Sequence, residues 1–156
     1  MTFEEKVKSM TAKEIIMAMV NSLTRPPIIS IDMGTYGETR KVDKKFLGIK
    51  IGNKEVCFGC AATNTICQIS GKKFTPQNIF SKKTRAEFIN SDYDFLGGFE
   101  MAIDFLRVGD IESYNRRAKN LGIAIIDQNN IDVYRLGNSY TNKDLEPYIR
   151  LANAQI

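Results

Sequence analysis

This 156-residue sequence predicts an α+β fold, predominantly helical, with one small antiparallel β-hairpin packed with about six or seven helices. Three observations lead there. Apolar residues recur at helical spacing along most of the chain, capping residues punctuate those stretches, and two β-prone runs meet at a turn signal in only one place. Hydrophobic residues make up 43% of the chain and charged residues 26%, a balance that supports a packed core and argues against intrinsic disorder. The length suits a single globular domain over residues 1–156.

The elements are expected in the following order. Thr2 and Glu5 precede a short helix, and Thr11 with Glu14 forms a capping box ahead of Ile15, Ile16, Met19, Val20 and Leu23, which share one face. Pro26 and Pro27 end that helix, so a helical hairpin is expected at the start of the chain. Residues 28–45 show no sustained period and read as an irregular connection. Phe46 to Ile51 and Lys54 to Phe58 flank Gly52-Asn53, which places a two-residue hairpin turn there. Cys60 to Ile69 reads as a helix stopped by Gly71.

A helix from about Lys83 to Asn90 is followed by the most amphipathic stretch, with Phe95, Phe99, Ala102, Ile103 and Leu106 on one face. Gly109-Asp110 breaks it before a further helix that Gly122 closes. Ile123 to Ile126 and Ile131 to Leu136 are expected to be extended or to form short strands. A last helix is expected from Asp144 to Ala154, with Pro147 in its first turn.

Composition removes several chemistries. The chain has no histidine, the usual base and metal ligand near neutral pH, so a histidine-activated serine or cysteine nucleophile and any histidine-ligated metal centre are excluded. No metal set and no cofactor motif is complete, and neither a metal nor a cofactor is expected. Three cysteines fit a reducing compartment better than a disulfide framework, and no signal peptide or membrane span is apparent, so a cytoplasmic protein is expected.

Ile31-Asp32-Met33-Gly34-Thr35 resembles, over five residues, the first phosphate loop of the actin and sugar-kinase ATPases. The second aspartate-glycine loop those folds need is missing, and a turn built on Gly34 and Gly37 is the reading adopted. Cys57-Phe58-Gly59-Cys60 is a C-x-x-C sequence at a strand-to-helix junction, where a helix N-terminus could favour a thiolate at Cys60 with Cys57 as the resolving thiol. The opposing reading makes all three cysteines small core residues. Asp104 and Arg107 have the spacing of a helix-surface ion pair.

Charge is unevenly distributed. Between residues 39 and 85 the eleven basic residues Arg40, Lys41, Lys44, Lys45, Lys50, Lys54, Lys72, Lys73, Lys82, Lys83 and Arg85 stand against Asp43 and Glu55, a net +9. Residues 86–115 hold seven acids against Arg107 alone, a net −6. The expectation is a non-catalytic protein-binding module, such as an immunity protein or another inhibitor, whose basic face takes an acidic protein. Arg40, Lys41, Lys44, Lys45, Lys72, Lys73, Lys82, Lys83 and Arg85 are the candidate contacts. A thiol enzyme or redox protein using Cys57 and Cys60 is the alternative, and nucleic-acid binding through residues 40–85 a second. The aromatic residues of that stretch do not form the stacking pattern of a single-strand binder, and no groove-docking motif is present.

Overall fold

The computed structural model describes residues 1–156 and contains seven α-helices and a three-stranded mixed sheet. Its helices are α1 (Phe3–Lys8), α2 (Ala12–Leu23), α3 (Ala61–Ser70), α4 (Lys82–Phe88), α5 (Tyr93–Arg107), α6 (Ile111–Leu121) and α7 (Glu146–Asn153), with a 3-10 turn at Asn142–Leu145. The strands are β1 (Ser30–Ile31), β2 (Glu38–Phe46) and β3 (Ile49–Gly59), in the order β1-β3-β2. The fold is α+β and helix-dominated, as the periodicity predicts. No helix is long and apolar enough to cross a membrane.

Local chemistry explains the helix ends. Thr11 accepts from the Glu14 amide while the Glu14 carboxylate accepts from the Thr11 amide, satisfying two donors that a bare helix end would leave without partners. Asp92 and Asp110 cap α5 and α6 one way only, each carboxylate accepting from the backbone amide of Phe95 or Ser113. Gly71 and Gly122 close α3 and α6 in the left-handed conformation, which glycine adopts without a Cβ clash.

Helix α3 lies at the centre, with every residue from Ala61 to Cys67 buried. Its small side chains let α2 and α5 approach closely, and α1 also packs on it. Polar side chains of α3 are paired: the Asn64 side chain accepts from the Ile29 amide and donates to the Cys60 carbonyl, and Thr65 donates to the Ala61 carbonyl. On α5, Phe95 and Phe99 meet Phe3 edge to face, so α1 is held by the aromatic cluster and by α3. The expected hairpin of α1 on α2 therefore does not form. Six residues offer α1 too little surface for a paired helix, and Phe3 and Val7 are buried elsewhere.

Two further expectations are corrected. Residues 28–45 are not an irregular connection: β1 runs parallel to β3, and all of β2 pairs antiparallel with it. The turn lies at Leu47-Gly48, ahead of the Gly52-Asn53 pair that resembled a turn signal. Placing it at 47–48 lets β2 pair along its whole length. Residues 123–126 and 131–136 join no strand. They are fixed instead by the Asn115 side chain on both the amide and carbonyl of Ile126, and by the Leu136 amide on the Arg107 carbonyl.

Candidate functional site

The two long strands form a ribbon that leaves the body. Only its base is covered, and every residue from Lys41 to Ile51 is exposed. Alternation puts successive side chains on opposite faces, and residues paired across the ribbon share a face. Phe46 pairs with Ile49, Val42 with Lys54 and Arg40 with Val56, so Val42, Lys44, Phe46, Ile49, Lys54 and Val56 lie on one face. Ile51 is the extra residue of a bulge opposite Lys44, which keeps Ile49 and Ile51 on that same face. The bulge uses Gly52 at φ +148°, a conformation that side chains rarely adopt. The other face carries Lys41, Asp43, Lys45, Lys50 and Glu55.

The base of the ribbon is clamped. The Arg40 guanidinium donates to Asp32 and, at 2.7 Å, to Glu38, and it lies 4.2 Å from the centre of the Phe58 ring. Asp32 also accepts from the Gly34 amide at 2.8 Å, and the Arg40 hydrogen bond holds its carboxyl below the usual range. The Asp32-Met33-Gly34 turn is thus a structural anchor for the ribbon. Gly37, just before β2, lies so close to the Ile79 carbonyl and side chain that any Cβ would collide with them.

The candidate basic residues divide into groups. Lys41, Lys44 and Lys45 project from the ribbon and form no ion pair, nor does Lys54. Lys50 reaches Asp43 at 3.3 Å. Lys73 and Lys54 line one groove at the foot of the ribbon together with Cys57, while Lys83 is exposed on α4. Lys72 donates to the Phe88 carbonyl at 2.9 Å, and Lys82 lies 4.8 Å from the centre of the Tyr93 ring. Arg85 corrects the sequence reading, because it is buried. Its guanidinium donates twice to Glu100 and once to the Ile79 carbonyl, so it reaches no partner.

The acidic stretch is mostly engaged within the chain. Glu100 is buried, Asp92 and Asp110 cap helices, Asp104 pairs with Arg107 at 2.7 Å, and Glu112 lies 3.7 Å from Arg116. Only Glu87 and Asp94 remain outside such contacts. The acids therefore do not fold against the ribbon to neutralise it.

The C-x-x-C pair is separated by its surroundings. Cys57 lines the groove with Lys73, whereas Cys60 lines a small cavity with Met33, Thr35, Tyr36 and Asp104. Burial pushes the thiols of Cys57 and Cys60 up, and that of Cys67 to about 11, which opposes formation of a thiolate. Tyr36 is likewise pushed up to about 12 by burial. No group of three or more carboxylates and thiols is placed to hold a metal ion. No protein-family model matches the chain, and no curated protein or solved structure matches it either.

Proposed function

We propose that this chain is a non-catalytic protein-binding module, of the inhibitor or immunity type, that holds an acidic partner protein against its basic ribbon. The observation that carries this reading is the group Lys41, Lys44, Lys45 and Lys54, exposed on one projecting element with no internal ion pair. Such a cluster steers an anionic surface into place and speeds encounter, with an effect that falls as salt rises. Each lysine also retains the conformational freedom to settle on a carboxylate when one arrives.

The thiol alternative is disfavoured by the upward shift of all three thiols and by the different surroundings of Cys57 and Cys60. Nucleic acid is the stronger competitor, since the major groove admits a two-stranded ribbon and phosphates attract lysine. Asp43 and Glu55 within the ribbon, and the aliphatic side chains of one face, argue against it.

The reading is tested by isolating the partner from lysate of the producing cell, identifying it by mass spectrometry and titrating the purified pair across a salt series. Lys44→Glu/Lys45→Glu is expected to weaken the complex by about tenfold or more, and added salt to weaken the wild-type complex. An unaltered affinity in the reversed variant, or a partner whose contact surface is basic, would refute the basic-face reading.

A further inference from the structure

The tip of the ribbon breaks two local rules at once. Leu47 adopts a left-handed backbone conformation, φ +52°, beside Gly48 at φ +80°. This is a two-residue turn whose positions favour asparagine, aspartate or glycine, and a leucine is strained there. Its side chain finds no shelter in return, being 86% exposed, while Phe46, Ile49 and Ile51 are 65%, 68% and 64% exposed. Neither turn stability nor core packing accounts for a leucine at 47. A residue that is strained and solvated in the free protein is explained by what covers it in a complex.

The pattern behind the tip indicates what that is. Val42, Phe46, Ile49 and Ile51 make one apolar face about 14 Å long, interrupted by Lys44 and Lys54, neither of which has an acidic partner. We propose that this face, led by Leu47, enters an apolar trough of a different acidic protein whose rim supplies carboxylates to Lys44 and Lys54. The inference rests on the protein-binding reading and assigns its docking element. A second copy of this chain is a poor occupant, because ribbon against ribbon would bring like charges together and its own acids are mostly engaged. A bilayer met by the tip would leave the side face uncovered. Deeper entry would strip water from the open edges of both strands. The floor of a DNA groove is a row of polar base edges, poorly suited to the apolar side chains of this face.

The experiment places the photo-crosslinking residue p-benzoylphenylalanine at Phe46 in the ribbon, or at exposed Phe80 on the body, in the full-length protein within its native lysate. A crosslink from position 46 to another protein, mapped to a peptide combining Asp or Glu with apolar residues, is the expected result. With that protein purified, Leu47→Asn should weaken binding by about tenfold while the melting temperature of the free variant holds or rises.

Crosslinking from Phe80 with none from Phe46 overturns the ribbon assignment and leaves the protein-binding reading standing. Absence of a protein crosslink at both positions removes both. A crosslink to a second copy overturns the proposal. So does binding to phosphatidylcholine vesicles containing phosphatidylserine, or to duplex DNA, that Leu47→Asn abolishes. Leu47→Asn binding as tightly as wild type overturns it as well.

Discussion

Lys45 and Lys50 stand directly opposite each other across the ribbon, one pair behind the turn. Like charges in that relation repel, and the contact of Lys50 with Asp43 at 3.3 Å relieves only one of them, since both side chains are well solvated. The tip carries its charge at a cost to local stability. Lys45→Glu should therefore stabilise the free protein by roughly 0.2–1 kcal/mol, read by urea denaturation, and weaken the partner complex. A variant that is less stable than wild type would show that the pair is not repulsive in the folded state.

Arg85 and Glu100 join α4 to α5 inside the protein, at 3.1 Å, with one Glu100 oxygen left without a partner. Removing one member exposes the other to an apolar interior. Arg85→Met should destabilise by about 3–5 kcal/mol, whereas Arg85→Met/Glu100→Met should cost less than that single change because no unpaired charge remains. Equal or greater loss in the double variant would mean that the pair stabilises the fold on its own account.

The distinction between local and long-range chemistry explains what could be read from the sequence. Thr11 with Glu14, Gly71 and Gly122 announce helix ends because their partners lie within four residues. The ribbon was half legible. Gly52-Asn53 looks like a turn because glycine does adopt an unusual conformation there, but a bulge demands it. Leu47-Gly48 gives no turn signal because leucine is not a turn residue, and this same discrepancy marks the candidate site. Arg85 reads as one more surface cation in the sequence because its acid lies fifteen positions away on another helix. Glu100, next to Phe99 on the apolar side of α5, was the available sign that a buried cation was needed.

The same buried carboxyl sets a pH dependence. Burial outweighs the attraction of Arg85 and lifts Glu100 above its ordinary value of 4.5. The folded state then holds this proton more tightly than the unfolded state, so the group's contribution is full below pH 4.5 and is lost as pH rises through the folded value. Asp32, lowered by Arg40, and Asp110, lowered by Ser113, act in the opposite sense, losing their contribution as pH falls. Both are common to wild type and Glu100→Gln and cancel in the comparison. The stability of wild type relative to Glu100→Gln should be greater near about pH 4.5 than near about pH 7.5. A pH-independent difference would refute the assignment.

Gly52 tests whether the ribbon is energetically separate from the body. Its φ of +148° disfavours any side chain although nothing crowds the site, so Gly52→Ala acts through the backbone alone. The strain, about 1–3 kcal/mol, falls on an element outside the 37-residue core. Hydrogen exchange should accelerate at the paired amides between residues 41 and 55 and stay unchanged in α3 and α5. Uniform acceleration throughout the chain would mean that the ribbon unfolds only with the core.

Thiol reactivity separates the binding reading from the catalytic one. Burial raises all three cysteines, but Cys57 is only half-buried and Lys73 pulls its thiol the other way. Cys60 and Cys67 are buried, with Cys67 at about 11. Iodoacetamide at neutral pH should therefore modify Cys57 slowly and first, with Cys60 and Cys67 modified only once urea opens the core, as followed by peptide mass spectrometry. An activated nucleophile would reverse that order. Rapid labelling of Cys60 in the native protein below about pH 8 would require a thiolate that this environment opposes, and would return the Cys57 and Cys60 pair to the centre of the functional question.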